Sequence, residues 1–156
     1  MSMQGLTYSQ LRLAVLSRLA ADSAITTVVP ANHQYDGRTL PLPDSFVGSA
    51  LIVYVDGDSM TFAGAGYSGA SDLPIMMGTT TVAIEYYATA SSDAGLESAL
   101  DFSETILTTL LSDPSFTRMF DRIDSVQVSR DSTASGSKRM GVTRLSLGVT
   151  HRRAWG

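Results

Sequence analysis

Between Asp93 and Asp113, Leu96, Ala99, Leu100, Ser103, Leu107, Leu110 and Leu111 recur at steps of three and four residues. Residues so spaced fall on one stripe of an α-helix, and Glu97, Asp101, Glu104 and Thr108 fall on the opposite side. Ser92 or Asp93 can cap its start, where the acidic first half suits the positive end of the helix dipole. Asp113-Pro114 stops it, because a residue before proline is pushed out of the α region. A helix of about 20 residues is ~30 Å long, enough to cover a small sheet from edge to edge. The rest of the chain must supply that sheet.

The N-terminal segment predicts a second helix. Thr7-Tyr8-Ser9-Gln10 has the form of a capping box, and Leu11, Val15, Leu16 and Leu19 make an apolar stripe from Tyr8 to Ala21, with Arg12, Ser17 and Arg18 facing out. Asp22 can cap a short turn that carries Ile25, Val28 and Val29 inward until Pro30 ends it. Residues 31–49 read as an irregular connection, with a turn at Asp36-Gly37, extended backbone at Pro41 and Pro43, and Tyr35, Leu40 and Leu42 as its anchors.

Four strands are expected. Leu51–Val55 is a β-branched run ended by Asp56-Gly57-Asp58; Thr79–Thr89 alternates Val82, Ile84, Tyr86 and Ala88 with Ala83, Glu85, Tyr87 and Thr89. Asp124–Arg130 alternates around Val126 and Val128. Met140–His151 points Leu145, Leu147 and Val149 inward and Arg144, Ser146 and Thr150 outward. Between the first pair lies a glycine-rich loop, Ser59–Leu73, and between the second a polar loop, Asp131–Lys138. Phe116, Met119, Phe120 and Ile123 should pack under the end of the long helix. The fold class that follows is α+β: a mostly antiparallel four-stranded sheet with two helices packed on one face, residues 1–156 forming a single domain.

Composition narrows the functional classes. There is no cysteine, hence neither a disulfide framework nor a thiolate metal site. No apolar run approaches membrane-span length, and no signal peptide or membrane association is expected. The net charge of −4 argues against a general nucleic-acid binder. It is unevenly spread: residues 1–117 hold three basic side chains against 12 acidic ones, and residues 118–156 hold eight against three. Such polarity suits head-to-tail contact between copies, or simply two solvated faces.

Catalytic signatures are missing. His33 and His151 lie far apart and read as surface or turn residues; Asp56-Gly57-Asp58-Ser59 lacks calcium-loop spacing; Gly64-x-Gly66-x-x-Gly69 runs into Pro74 rather than a helix. No enzyme activity, cofactor or metal is expected. The basic cluster Lys138, Arg139, Arg144, Arg152 and Arg153 reads as a solvated strand end or as one side of an interface.

The chain resembles the tail terminator (tail-completion) proteins of long-tailed bacteriophages and gene-transfer particles. The resemblance rests on Leu11-x-x-x-Val15-Leu16-x-x-Leu19, Val28-x-Pro30, Tyr35-Asp36-Gly37 and Val82-x-Ile84-x-Tyr86, then on Ile106-x-x-x-Leu110-Leu111-x-Asp113-x-x-Phe116 and Arg144-Leu145-x-Leu147-x-Val149-x-His151-Arg152. It implies a virion protein of the neck region, assembled in the host cytoplasm as a six-membered ring. That ring would cap the tail tube, end its growth and meet the head-side connector or stopper protein, while DNA passes the lumen without specific binding. On this reading Arg139, Arg144, Arg152 and Arg153 of one copy meet Asp56, Asp58 or Asp72 of the next. A neck or connector subunit of the same particle, and a small ligand-binding or hydrolytic α+β domain, are the alternatives.

Overall fold

A computed structural model of the chain describes residues 3–4, 7–39, 41, 43, 45–62 and 75–155. The first helix, α1 (Tyr8–Ala21), has the boundaries and cap that its sequence predicts. Thr7 Oγ1 accepts from Gln10 N at 3.1 Å, and Gln10 Oε1 accepts from Thr7 N at 2.8 Å. Asp22 then caps α2 (Ser23–Val28), its carboxylate accepting from the backbone of Ala24 and Ile25. Ile25 and Val29 enter the core, whereas Val28, expected there too, is left exposed.

Among the described residues the sheet has six strands rather than four: β1 (Met3–Gln4), β2 (Gln34–Asp36), β3 (Ser49–Phe62), β4 (Ile75–Ala90), β5 (Arg122–Ser135) and β6 (Lys138–Trp155). Across the sheet the order is β2-β3-β4-β6, with both β5 and β1 on the far side of β6. Pairing is antiparallel except at β2–β3, which is parallel and short. The two long loops of the sequence reading are thus shorter. Ser59–Phe62 continues β3 beyond a bulge between Val55 and Gly57, so Asp56-Gly57-Asp58 bends the strand without ending it. The remainder, 63–73, lies outside the described residues, as do Leu40 and Leu42. Asp131–Ser135 continues β5, leaving a two-residue turn whose first residue, Gly136, sits at φ +63°.

Alternation decides the faces. Leu51 and Val53, Val82, Ile84, Tyr86 and Ala88, and Leu145, Leu147 and Val149 all point to one side, where they bury Leu11, Val15, Leu19, Leu96, Leu100, Ile106, Leu110 and Phe116 from the helices. The long central helix is broken. It forms α3 (Asp93–Leu100) and α4 (Ser103–Leu111), and a short α5 (Pro114–Thr117) follows. At the break Phe102 N, Glu104 N and Thr105 N bond to carbonyls three residues back. Each such step turns the chain further than an α step does, which rotates the stripe beyond it. Ile106, Thr109 and Leu110 are therefore buried, Leu107 is only half-buried and Leu111 is exposed. The break also brings the Phe102 ring to 5.5 Å from Tyr86.

Candidate assembly surface

The helix layer stops short of β5. Along Arg122–Ser135 this strand pairs with β6 on its inner side, no described strand lies on its outer side, and every residue but Ile123 is exposed. Val126 and Val128 stand opposite Leu147 and Leu145, hence on the helix side of the sheet, yet they are 36% and 55% exposed. The sequence alternation sets their face correctly but not their burial, because alternation says nothing about how far the helices reach. Arg130, two residues on, folds back to Glu97 of α3 at 3.2 Å and to Asp101, which caps that helix, at 3.1 Å.

Monomeric proteins guard such edges with proline, lysine, bulges or short strands, since an open row of N–H and C=O groups invites another strand. From Ser125 to Ser135 the pairing of β5 runs without a break and the segment contains neither proline nor lysine; a bulge marks its start, and Arg130 and Asp131 are its charged residues.

The opposite edge of the sheet is open as well. β2 covers β3 only at Leu51–Val53. Beyond it, Val55–Asp58 borders a shallow trough of about 540 Å³ lined also by Tyr8, Arg12, Asp36, Arg38 and Tyr54. Arg12 is paired with Asp36 at 2.5 Å, Tyr8 donates to Asp58, and the Arg38 guanidinium bonds the Val55 carbonyl while lying 4.8 Å from the centre of the Tyr54 ring.

On the helix-free face, long polar side chains lie flat over the sheet. Tyr54 and Tyr87 both donate to Glu85, at 2.7 and 2.6 Å, and Ile52 and Ala83 are fully buried in the same cluster. Burial, then the bond to the Glu85 carboxylate, pushes the Tyr54 phenol up to about 12, and the same causes raise Tyr87.

The charged residues that the sequence reading places across an interface have partners inside the chain. Arg144 bonds Asp56, Arg139 bonds Asp93 at 2.9 Å, and Arg152 lies 3.5 Å from Asp121. Asp58 accepts from Tyr8 and Thr80. Asp72 and the Arg153 side chain lie outside the described residues. With Arg130 and Arg139 both held by acidic residues of α3 and its C-terminal cap, the basic C-terminal hairpin meets the acidic half within one molecule. The uneven charge of the sequence therefore carries little weight as a sign of contact between copies.

His33 lies in a short turn, as the sequence reading allows, whereas His151 departs from that reading. His33 is half-buried against Phe46, with ring centres 5.3 Å apart. His151 is 2% exposed, and its Nε2 lies 2.7 Å from the hydroxyl of the fully buried Thr80. That hydroxyl donates to Asp58 at 3.1 Å, so with its one proton committed it accepts from an Nε2–H of His151. The odd-numbered parity that His151 shares with Leu145, Leu147 and Val149 was the signal for its burial. Thr80 is enclosed in mid-strand and has no exposed surface from which to attack a substrate. Among the described residues no group of potential ligands is arranged to hold a metal ion, and no helix is long and apolar enough to cross a membrane.

No family model matches the chain, and neither does any curated protein. Among solved structures it is similar to a chain of one described as "Virion of native gene transfer agent (GTA) particle", at 12% identity over 87% of this chain and 91% of that one, with a TM-score of 0.41.

Proposed function

We propose that the chain is a structural virion subunit of the tail-terminator kind, one that closes with copies of itself into a six-membered ring at the end of a tail tube. The ring stops tube growth and offers its other side to a head-side connector, and DNA passes through its centre. The observation that carries this reading is the long outer edge of β5, with no described strand beside it and with Val126 and Val128 exposed on the helix side. A surface of that kind is costly to leave in water and is relieved by a partner strand. The segments on which the resemblance rests also work together in the fold. Leu11, Val15 and Leu19, Val82, Ile84 and Tyr86, Ile106 and Leu110, and Leu145, Leu147 and Val149 meet in one core. The helix-free face suits a channel wall, because Arg144 there is bonded to Asp56 and so presents little free positive charge to passing phosphates.

The test is genetic and visual. Particles assembled without this chain should carry tails of uncontrolled length and lack joined heads in electron micrographs, and the purified chain should restore both. Tails of normal length joined to heads in its absence would refute the proposal.

A further inference from the structure

The ring reading leaves open which surface receives the β5 edge. We infer that it is the opposite edge of the same sheet in the next copy, the strand-free side of β3 at Val55–Phe62, where the incoming strand takes the Val55 carbonyl from Arg38, so that contact runs head to tail. This inference rests on the ring reading and adds the partner surface to it. Its first support is direction. β3, β4, β6 and β5 alternate in sense through three antiparallel pairings, so β5 runs opposite to β3. Turning a copy about an axis along the strands preserves strand sense and keeps the helices on one side. The β3 edge it presents is then antiparallel to β5, which suits ladder formation.

The second support is extent. Val126–Ser135 spans ten paired residues, about 34 Å at the usual rise. The strand-free stretch of β3, Val55–Phe62, offers eight described residues to meet it. A two-fold pairing of β5 with β5 would leave β3 uncovered; only two different surfaces can close a larger ring.

The inference is tested with two edge-blocking variants and their mixture. Val128→Lys places a charge on the β5 side, where the residue is 55% exposed. Gly57→Lys does so on the β3 side, where an added Cβ meets no atom within 4 Å. Circular dichroism and melting temperatures close to those of the unaltered chain establish that each folds. Native mass spectrometry should then show each variant as a 16.6 kDa monomer, and the mixture as a dimer of one chain of each kind, joined through the single intact pair of edges. If Gly57→Lys assembles normally while Val128→Lys does not, β5 pairs with something other than β3 and the inference fails. If both variants still form rings, edge pairing fails and the ring reading stands. If the unaltered chain is itself monomeric at every concentration, the ring reading fails too.

Discussion

Two glycines on β6 separate a close contact that can relax from one that cannot. An added Cβ at Gly141 would lie 2.9 Å from Leu100 Cδ1 and 3.2 Å from both methyl carbons of Leu96. At Gly148 it would lie closer still, 2.7 Å from Ser125 Oγ. Distance alone ranks Gly148→Ala as the worse change. The surroundings reverse the ranking. Leu96 and Leu100 are 3% and 1% exposed between α3 and the sheet, and in a close-packed interior their methyl groups can move only by displacing other atoms. Ser125 is exposed beside the β5 bulge, and its hydroxyl can swing into water. Overpacking a core costs about 1–3 kcal/mol, against which the stiffer alanine backbone recovers roughly 0.4–1 kcal/mol. Gly141→Ala should therefore lose about 1.5 kcal/mol, or ~3–6 °C of melting temperature for a chain of this size. Gly148→Ala should change by no more than about 0.5 kcal/mol and gains if the alanine effect dominates. Differential scanning calorimetry decides between them. Leu100→Ala should also cost less in the Gly141→Ala background than alone, a coupling of contacting residues. A Gly141→Ala protein as stable as its parent, or a Gly148→Ala protein less stable than Gly141→Ala, would refute the packing of α3 on β6 described here.

Two further perturbations address the polar clusters. Tyr54 ionises at 10.0 when unfolded and at about 12 when folded; the folded state holds the proton longer, so its contribution is complete below pH 10 and is lost as pH rises from about 10 to about 12. Chemical denaturation across that range should show stability falling with pH, and Tyr54→Phe should flatten the slope; an unchanged slope would count against the buried phenol. Thr80→Val removes the hydroxyl that joins His151 to Asp58, and should cost about 1–3 kcal/mol. Thr80→Ser keeps that hydroxyl and should unfold at clearly lower cost in urea titrations; equal losses would mean that the methyl group, not the hydrogen bonds, matters.

Where local chemistry decides the outcome, the sequence announces it. Thr7 and Gln10 define the start of α1, Asp22 restarts the chain, and the alternation from Val82 to Ala88 assigns both faces of β4. The misses share one cause, long-range context. Nothing near Phe102 reveals that the central helix will break there and set its ring against Tyr86. Nothing in the serine-rich run 131–135 reveals that β6 will pair with it. The sequence marks Asp56 and Arg144 as interface candidates, and the fold of β3 and β6 brings the two together within one chain. The β5 surface lay in plain alternation at Val126 and Val128, and only the extent of the helix layer shows that this face is left uncovered.

The central claim is that the molecule acts by fitting to copies of itself. Sedimentation velocity of the purified, unaltered chain over a wide concentration range tests it most directly. The account predicts one closed species of six 16.6 kDa subunits in exchange with monomer, without a ladder of intermediate sizes. A monomer at all concentrations and salt levels would contradict it.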